Sequence, residues 1–156
     1  GDGPERAALE ELANELEIKD RVDFVGAQGN VAPYLARMDA YALTSDTEQM
    51  PISLVEAMAA RLPVVATNVG DVAEMLAPEN RAFVVDLGDD SALAAAAELL
   101  LSSSAARASL GEANAVKARA EYTLERMVTR YDNLFREMIR SVKPLMLPAP
   151  GTTPAE

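Results

Sequence analysis

Glu48 and Glu56 are two carboxylates separated by seven residues, in the run TSDTEQMPISLVEAMAARLPVVAT at positions 44–67. Such a pair could share a proton as acid and base, or it could hold a ligand, because an ionised carboxylate only accepts hydrogen bonds. Pro51 between them separates their settings. A proline suits the first turn of a helix, where its missing N–H is not needed, so Glu48 falls in the loop before the helix and Glu56 inside it. Two residues eight apart on one helix would lie about 80° apart around the axis and more than two turns along it, a poor arrangement for shared work. A loop followed by a helix can instead fold Glu48 over the helix mouth, and helical side chains tilt toward the N-terminus, which leans Glu56 the same way. Unbonded amides there, such as those of Ile52 and Ser53, favour a phosphate. On spacing alone, the reading of two ordinary charges stays open beside this one, with Glu48 favoured by the helix dipole and Glu56 simply exposed.

The elements that must position them follow from the apolar pattern. A helix is predicted at 4–17, with Ala8, Leu9, Leu12, Ala13 and Leu16 at helical spacing. Strands follow at 21–26, 39–45, 63–67 and 81–86, alternating with helices at 30–38, 51–60 and 70–76, the first capped by Asn30. Short apolar strands alternating with helices imply an α/β fold, a Rossmann-like parallel sheet with flanking helices. Beyond residue 88 the pattern is helical only, at 89–103, at 105–122 with a break at Gly111, and at 123–142. In the last, Met127, Tyr131, Leu134, Met138 and Val142 form a stripe flanked by Val128, Phe135 and Ile139, apolar enough to need a partner. Four prolines in 143–156 mark a flexible tail outside the domain at 1–142.

Composition excludes several functions. The formal net charge of −11, without clustered Lys or Arg, makes nucleic acid an unsuitable partner. There is no Cys and no His, which removes disulfides, the usual zinc ligands and histidine-dependent hydrolases. No apolar run approaches the roughly 18 residues of a membrane span and no signal peptide opens the chain, so a cytoplasmic location is expected. Gly1 in place of an initiating Met suggests a longer parent.

The wider stretch resembles the signature of family 4 (group 1) retaining glycosyltransferases, enzymes of two Rossmann-like domains in the GT-B arrangement. The matching residues are Ser45 at the strand end, Glu48, the EAMA of Glu56–Ala59, the PVVAT of 63–67 and the turn glycine Gly70. GDGPERAALEELA and RVDFVG are similar to the family's glycine turn, helix and next strand, and LGEANAVKARAEYTLERMVTRYDNLF to its C-terminal helices. The resemblance implies a donor-binding C-terminal domain in which Glu48 acts at the donor sugar as the catalytic-site carboxylate and Glu56 grips the ribose. Amides around Met50, Ile52 and Ser53 would hold the diphosphate, and the loop after Gly26 would lie near the base. It further implies a nucleotide-sugar donor, a glycan or lipid-linked acceptor, no metal and no other cofactor, and peripheral membrane association of the parent.

The chain departs from that family at three positions. Gln49 stands where glycine is usual, placing a side chain beside the sugar pocket. Pro51 removes an amide. Arg61 replaces the glycine that ends the helix, at roughly 1–2 kcal/mol if its backbone is left-handed. The family's diphosphate-binding Arg and Lys, and its acceptor domain, precede GDGP, so a truncated domain is expected, inactive on its own. The strand at 21–26 would then lie two missing strands away from that at 39–45. Two other readings stand beside this one: a non-catalytic Rossmann-like module, and a sugar-nucleotide epimerase of the same fold.

Overall fold

The structure, a computed structural model, describes residues 2–141. Its centre is a parallel sheet in the order β1 (Tyr41–Leu43), β2 (Val64–Thr67), β3 (Val84–Val85). Helices α1 (Arg6–Glu15) and α2 (Ala32–Leu35) precede the sheet, α3 (Ile52–Ala59) joins β1 to β2, and α4 (Val72–Met75) joins β2 to β3. Three longer helices complete the described residues: α5 (Asp90–Ser102), α6 (Ser104–Glu121) and α7 (Leu124–Ser141). Asn30 Oδ1 accepts from the Ala32 N–H (3.2 Å) at the start of α2, and Asp89 Oδ1 from the Ala92 N–H (2.9 Å) at the start of α5.

All four residues of β2 are buried, as a central strand covered on both faces demands. On one face Leu43, Val64 and Ala66 pack against Leu54 and Met58 of α3, Val72 and Met75 of α4, Leu76, and Ala118 of α6. Strand alternation turns Ala42 and Val65 the other way, toward Ala97 and Leu100 of α5.

The helix α6 crosses the turn after α3 at very short range. A Cβ on Gly111 would lie 2.0 Å from the Arg61 carbonyl oxygen, so only glycine fits there. Gly111 therefore does not break the helix as expected; it allows the crossing. Arg61 itself is left-handed (φ 62°), the strained geometry that its place after α3 suggested. One turn further along α6, Asn114 is fully buried, donates to Leu62 O (3.0 Å) and Asn80 Oδ1 (2.7 Å), and accepts from the Ala77 N–H (3.2 Å).

Several expectations need correction. Residues 21–26 form no strand: after a 3-10 turn at Lys19–Arg21 the chain runs extended, because nothing among the described residues lies beside it to complete a ladder. The last strand is only two residues long. The first half of the strand expected at 81–86 falls instead in the 3-10 segment Pro78–Phe83, and Asn80 takes the place of a strand neighbour by donating to Val64 O (2.6 Å) and accepting from the Val64 N–H (2.9 Å). In α1 only Ala13 is buried, while Leu9, Leu12 and Leu16 stay open. No residue of α7 is buried, which leaves its apolar stripe without the partner it was expected to need among the described residues. The tail at 143–156, and Val142 of that stripe, lie outside the described residues.

The crossing makes a testable demand. Alanine is the better helix former by about 1 kcal/mol, yet Gly111→Ala should destabilise the chain by about 1–3 kcal/mol in urea unfolding, because the added methyl must displace backbone. A stabilised variant would contradict the crossing.

Candidate functional site

Pro51 is extended (φ −67°, ψ 120°) and stands one residue before α3, not within its first turn. The first helical bonds run from the Leu54 and Val55 N–H groups to Pro51 O (3.2 and 3.5 Å), and no side chain caps the helix start. The amides of Ile52 and Ser53 therefore precede the helical ladder. Glu48 lies in the loop from β1 to α3 and is half-buried. The Ser45 hydroxyl donates to Glu48 Oε1 (2.8 Å), and the Thr67 hydroxyl donates to Ser45 O (2.6 Å), so the carboxylate is tied through Ser45 to the end of β2.

Glu56, one turn into α3, is exposed and lines an open cleft of about 620 Å³ with Ser53, Gly26, Val25, Tyr34 and Arg37. Helical spacing puts Ser53 and Glu56, three residues apart, on this same side. The cleft's far wall is the extended segment after Phe24, and two residues that were not singled out in the sequence hold it in place. Asp2 Oδ2 accepts from the Ala27 N–H (2.7 Å), and Arg6 bonds Asp2 Oδ1 (2.7 Å) and donates to Phe24 O (3.0 Å). Their four-residue spacing at the start of a helix was the legible signal. The Ala27 N–H, and then Arg6, hold the Asp2 carboxyl below its ordinary range. Gly26 is left-handed (φ 73°), with the Asp2 carboxylate 3.3 Å from where a Cβ would stand.

The remaining site residues diverge. Met50 and Ile52 line a second cleft of about 380 Å³ on the other side of the start of α3, with Val55, Tyr122, Met127 and Tyr131. Burial, reinforced by the charge of Glu121, pushes the Tyr122 phenol above its ordinary value. Glu48 and Gln49 line neither cleft; they lie on the loop at the start of α3. Gly26, Ser53 and Glu56 are thus brought to one cavity, and Glu48 stands apart from Glu56. Glu74 and Asp39 are exposed, and Asp39 lies 3.8 Å from Arg107.

Parallel strands flanked by helices, with an uncapped helix start at the strand ends, define a Rossmann-like class of fold. The chain matches the family model "Glycosyl transferases group 1" over residues 1–117 and belongs to that family. It is 32% identical over 143 residues to N-acetyl-alpha-D-glucosaminyl L-malate synthase of Bacillus anthracis, covering 92% of this chain and 38% of that protein. Against the lipopolysaccharide core biosynthesis glycosyltransferase LpsD of Rhizobium meliloti (strain 1021), it is 34% identical over 135 residues, 86% of this chain and 39% of that one. Sucrose-phosphate synthase from Thermosynechococcus elongatus superposes with a TM-score of 0.81 at 29% identity, over 91% of this chain and 36% of that structure. The chain therefore spans 38–39% of the length of these two curated relatives, and it carries the Rossmann-like fold of GT-B enzymes with a helical C-terminus. Among the described residues no helix is long and apolar enough to cross a membrane.

The Asp2 anchor gives a pH prediction. Because its folded value is lowered, its bond to Ala27 holds above the ordinary carboxyl value of about 3.9 and is lost as pH falls through the lower folded value. The Ala27 amide resonance should titrate with a midpoint below 3.9; a midpoint at or above it would show that the anchor is not formed.

Proposed function

We propose that this chain is the donor-binding portion of a retaining glycosyltransferase, which transfers a sugar from a nucleotide-sugar to a glycan or lipid-linked acceptor. The observation that carries the reading is the cleft where Gly26, Ser53 and Glu56 meet beside the uncapped start of α3. In it Glu56 accepts hydrogen bonds from the ribose hydroxyls and the turn at Gly26 lies near the base, while the Ile52 and Ser53 amides at the helix start and the loop at Met50, on the cleft's edge, hold the diphosphate. Glu48, oriented by Ser45, accepts from the donor sugar beside Gln49. Both carboxylates act ionised, as acceptors only. The leaving diphosphate is stabilised by amides and basic side chains aimed at developing charge, with no metal and no other cofactor.

The acceptor is held outside these 156 residues, on the part of the relatives' length that the chain does not span. The parent works in the cytoplasm with peripheral membrane association, and nucleic acid is not a partner. The 156-residue chain by itself is inactive or nearly so.

Calorimetry with UDP, GDP and ADP tests the reading. One of them should bind the folded chain, and Glu56→Ala should weaken it about tenfold, as expected for losing a charge-assisted bond to the ribose. A folded chain that binds none of the three would overturn the proposal in favour of a non-catalytic module.

A further inference from the structure

The loop that carries Glu48 is seated on residues Thr67–Asp71 at the end of β2, of which the Thr67 bond to Ser45 is only one contact. The Thr67 side chain is buried, and its hydroxyl donates to Ser45 O (2.6 Å). The Asp71 N–H donates to Gln49 O (3.0 Å). Between them, Gly70 is left-handed (φ 52°) and presses directly on the loop: a Cβ there would stand 2.2 Å from Glu48 O, 2.7 Å from Glu48 C and 3.0 Å from Gln49 O. Residues 45, 48 and 49 are thus each touched by this segment, whereas none of Thr67–Asp71 lines the cleft that holds Gly26, Ser53 and Glu56.

We infer that Thr67, Gly70 and Asp71 are positioning residues that set the Glu48 carboxylate independently of Glu56, so that the two ends of the donor site are tuned by different parts of the chain. The inference rests on the proposed donor-binding role. Its physical basis is the separation of supports. Glu56 is placed by α3 and by the crossing of α6 on the turn after it, while Glu48 is placed by the end of β2. Any side chain at position 70 must push backbone rather than a flexible side-chain tip, so the Glu48–Gln49 peptide has to move. Loss of the Thr67 hydroxyl releases Ser45, whose own hydroxyl orients Glu48.

The test uses the 156-residue chain with three variants, Gly70→Ala, Thr67→Val and the conservative Thr67→Ser. Amide resonances are recorded first, without ligand. Gly70→Ala and Thr67→Val should shift the amides of residues 45–50 while those of Gly26, Ala27 and the second turn of α3 stay in place, and Thr67→Ser should restore the wild-type pattern. Titrations follow with UDP, GDP and ADP, and with UDP-glucose, UDP-N-acetylglucosamine, GDP-mannose and ADP-glucose. Gly70→Ala and Thr67→Val should keep nucleoside diphosphate affinity within about twofold and lower the preference for the matching nucleotide-sugar by about fivefold or more, the scale of one hydrogen bond.

Two results would overturn the inference. One is an unshifted 45–50 loop in a folded Gly70→Ala or Thr67→Val chain. The other is an equal loss for nucleotide and nucleotide-sugar. If the wild-type chain binds none of the seven probes, the donor-binding role fails and the inference about its two ends fails with it; the amide shifts then still decide whether the seat positions the loop.

Discussion

The crossing of α6 over the turn that follows α3 is the constraint on which the rest of the molecule depends. At Gly111 the two backbones come so close that no side chain fits between them. Three residues on, the buried Asn114 amide joins that turn at Leu62 to Ala77 and to Asn80. Asn80 in turn pairs with both backbone groups of Val64 and so finishes the ladder of β2 where β3 has not yet begun. Lys117, one turn further along α6, donates to the carbonyls of Glu74 and Leu76 at the end of α4. Burying amides is costly unless every group is bonded, and among the described residues no buried side-chain polar atom lacks a partner. A fully satisfied network of this kind specifies one arrangement of its elements rather than many.

That arrangement controls the site through α3. Leu54, Ala57 and Met58 are fully buried, which leaves Ser53 and Glu56 only the outer side of the helix, where the segment around Gly26 meets them. The start of α3 is kept free of side-chain caps because Pro51 stands in the capping position. The cleft is therefore built from two supports, a helix pinned from below and a loop tied to α1 by Asp2 and Arg6, while a second loop, resting on the end of β2, carries Glu48 outside it. Glu48 and Glu56 belong to different supports. Two separately held acceptors suit a ligand with hydroxyls at both ends better than a shared proton does.

Much of this was legible in the sequence, and the reasons for the gaps are physical. The three strands that form are those with a neighbour to pair with, and Val-Val-Ala-Thr at 64–67 showed by its unbroken apolar character that it is covered on both sides. The stretch 21–26 has the composition of a strand, but pairing is a property of two segments, and composition reports only one. The shortened β3 was hidden for a related reason: Asn80 replaces a backbone neighbour with a side chain, which no alternation pattern reveals. Gly111 was visible as a glycine in a helix and read as a break, because a close approach of distant backbone looks the same in one dimension. At the site, Pro51 correctly separated loop from helix, and the family motif pointed to both glutamates. The parting of Met50 and Ile52 from Ser53 and Glu56 into two clefts required the helix to be placed.

A crystal structure of the chain with a bound nucleotide-sugar tests the central claim most directly, namely that one donor is held by two separately supported carboxylates. The account predicts ribose hydroxyls within hydrogen-bond distance of Glu56 and sugar hydroxyls within the same reach of Glu48, with the diphosphate at the Ile52 and Ser53 amides. A donor bound with its ribose away from Glu56, or both carboxylates on the same group, would contradict it.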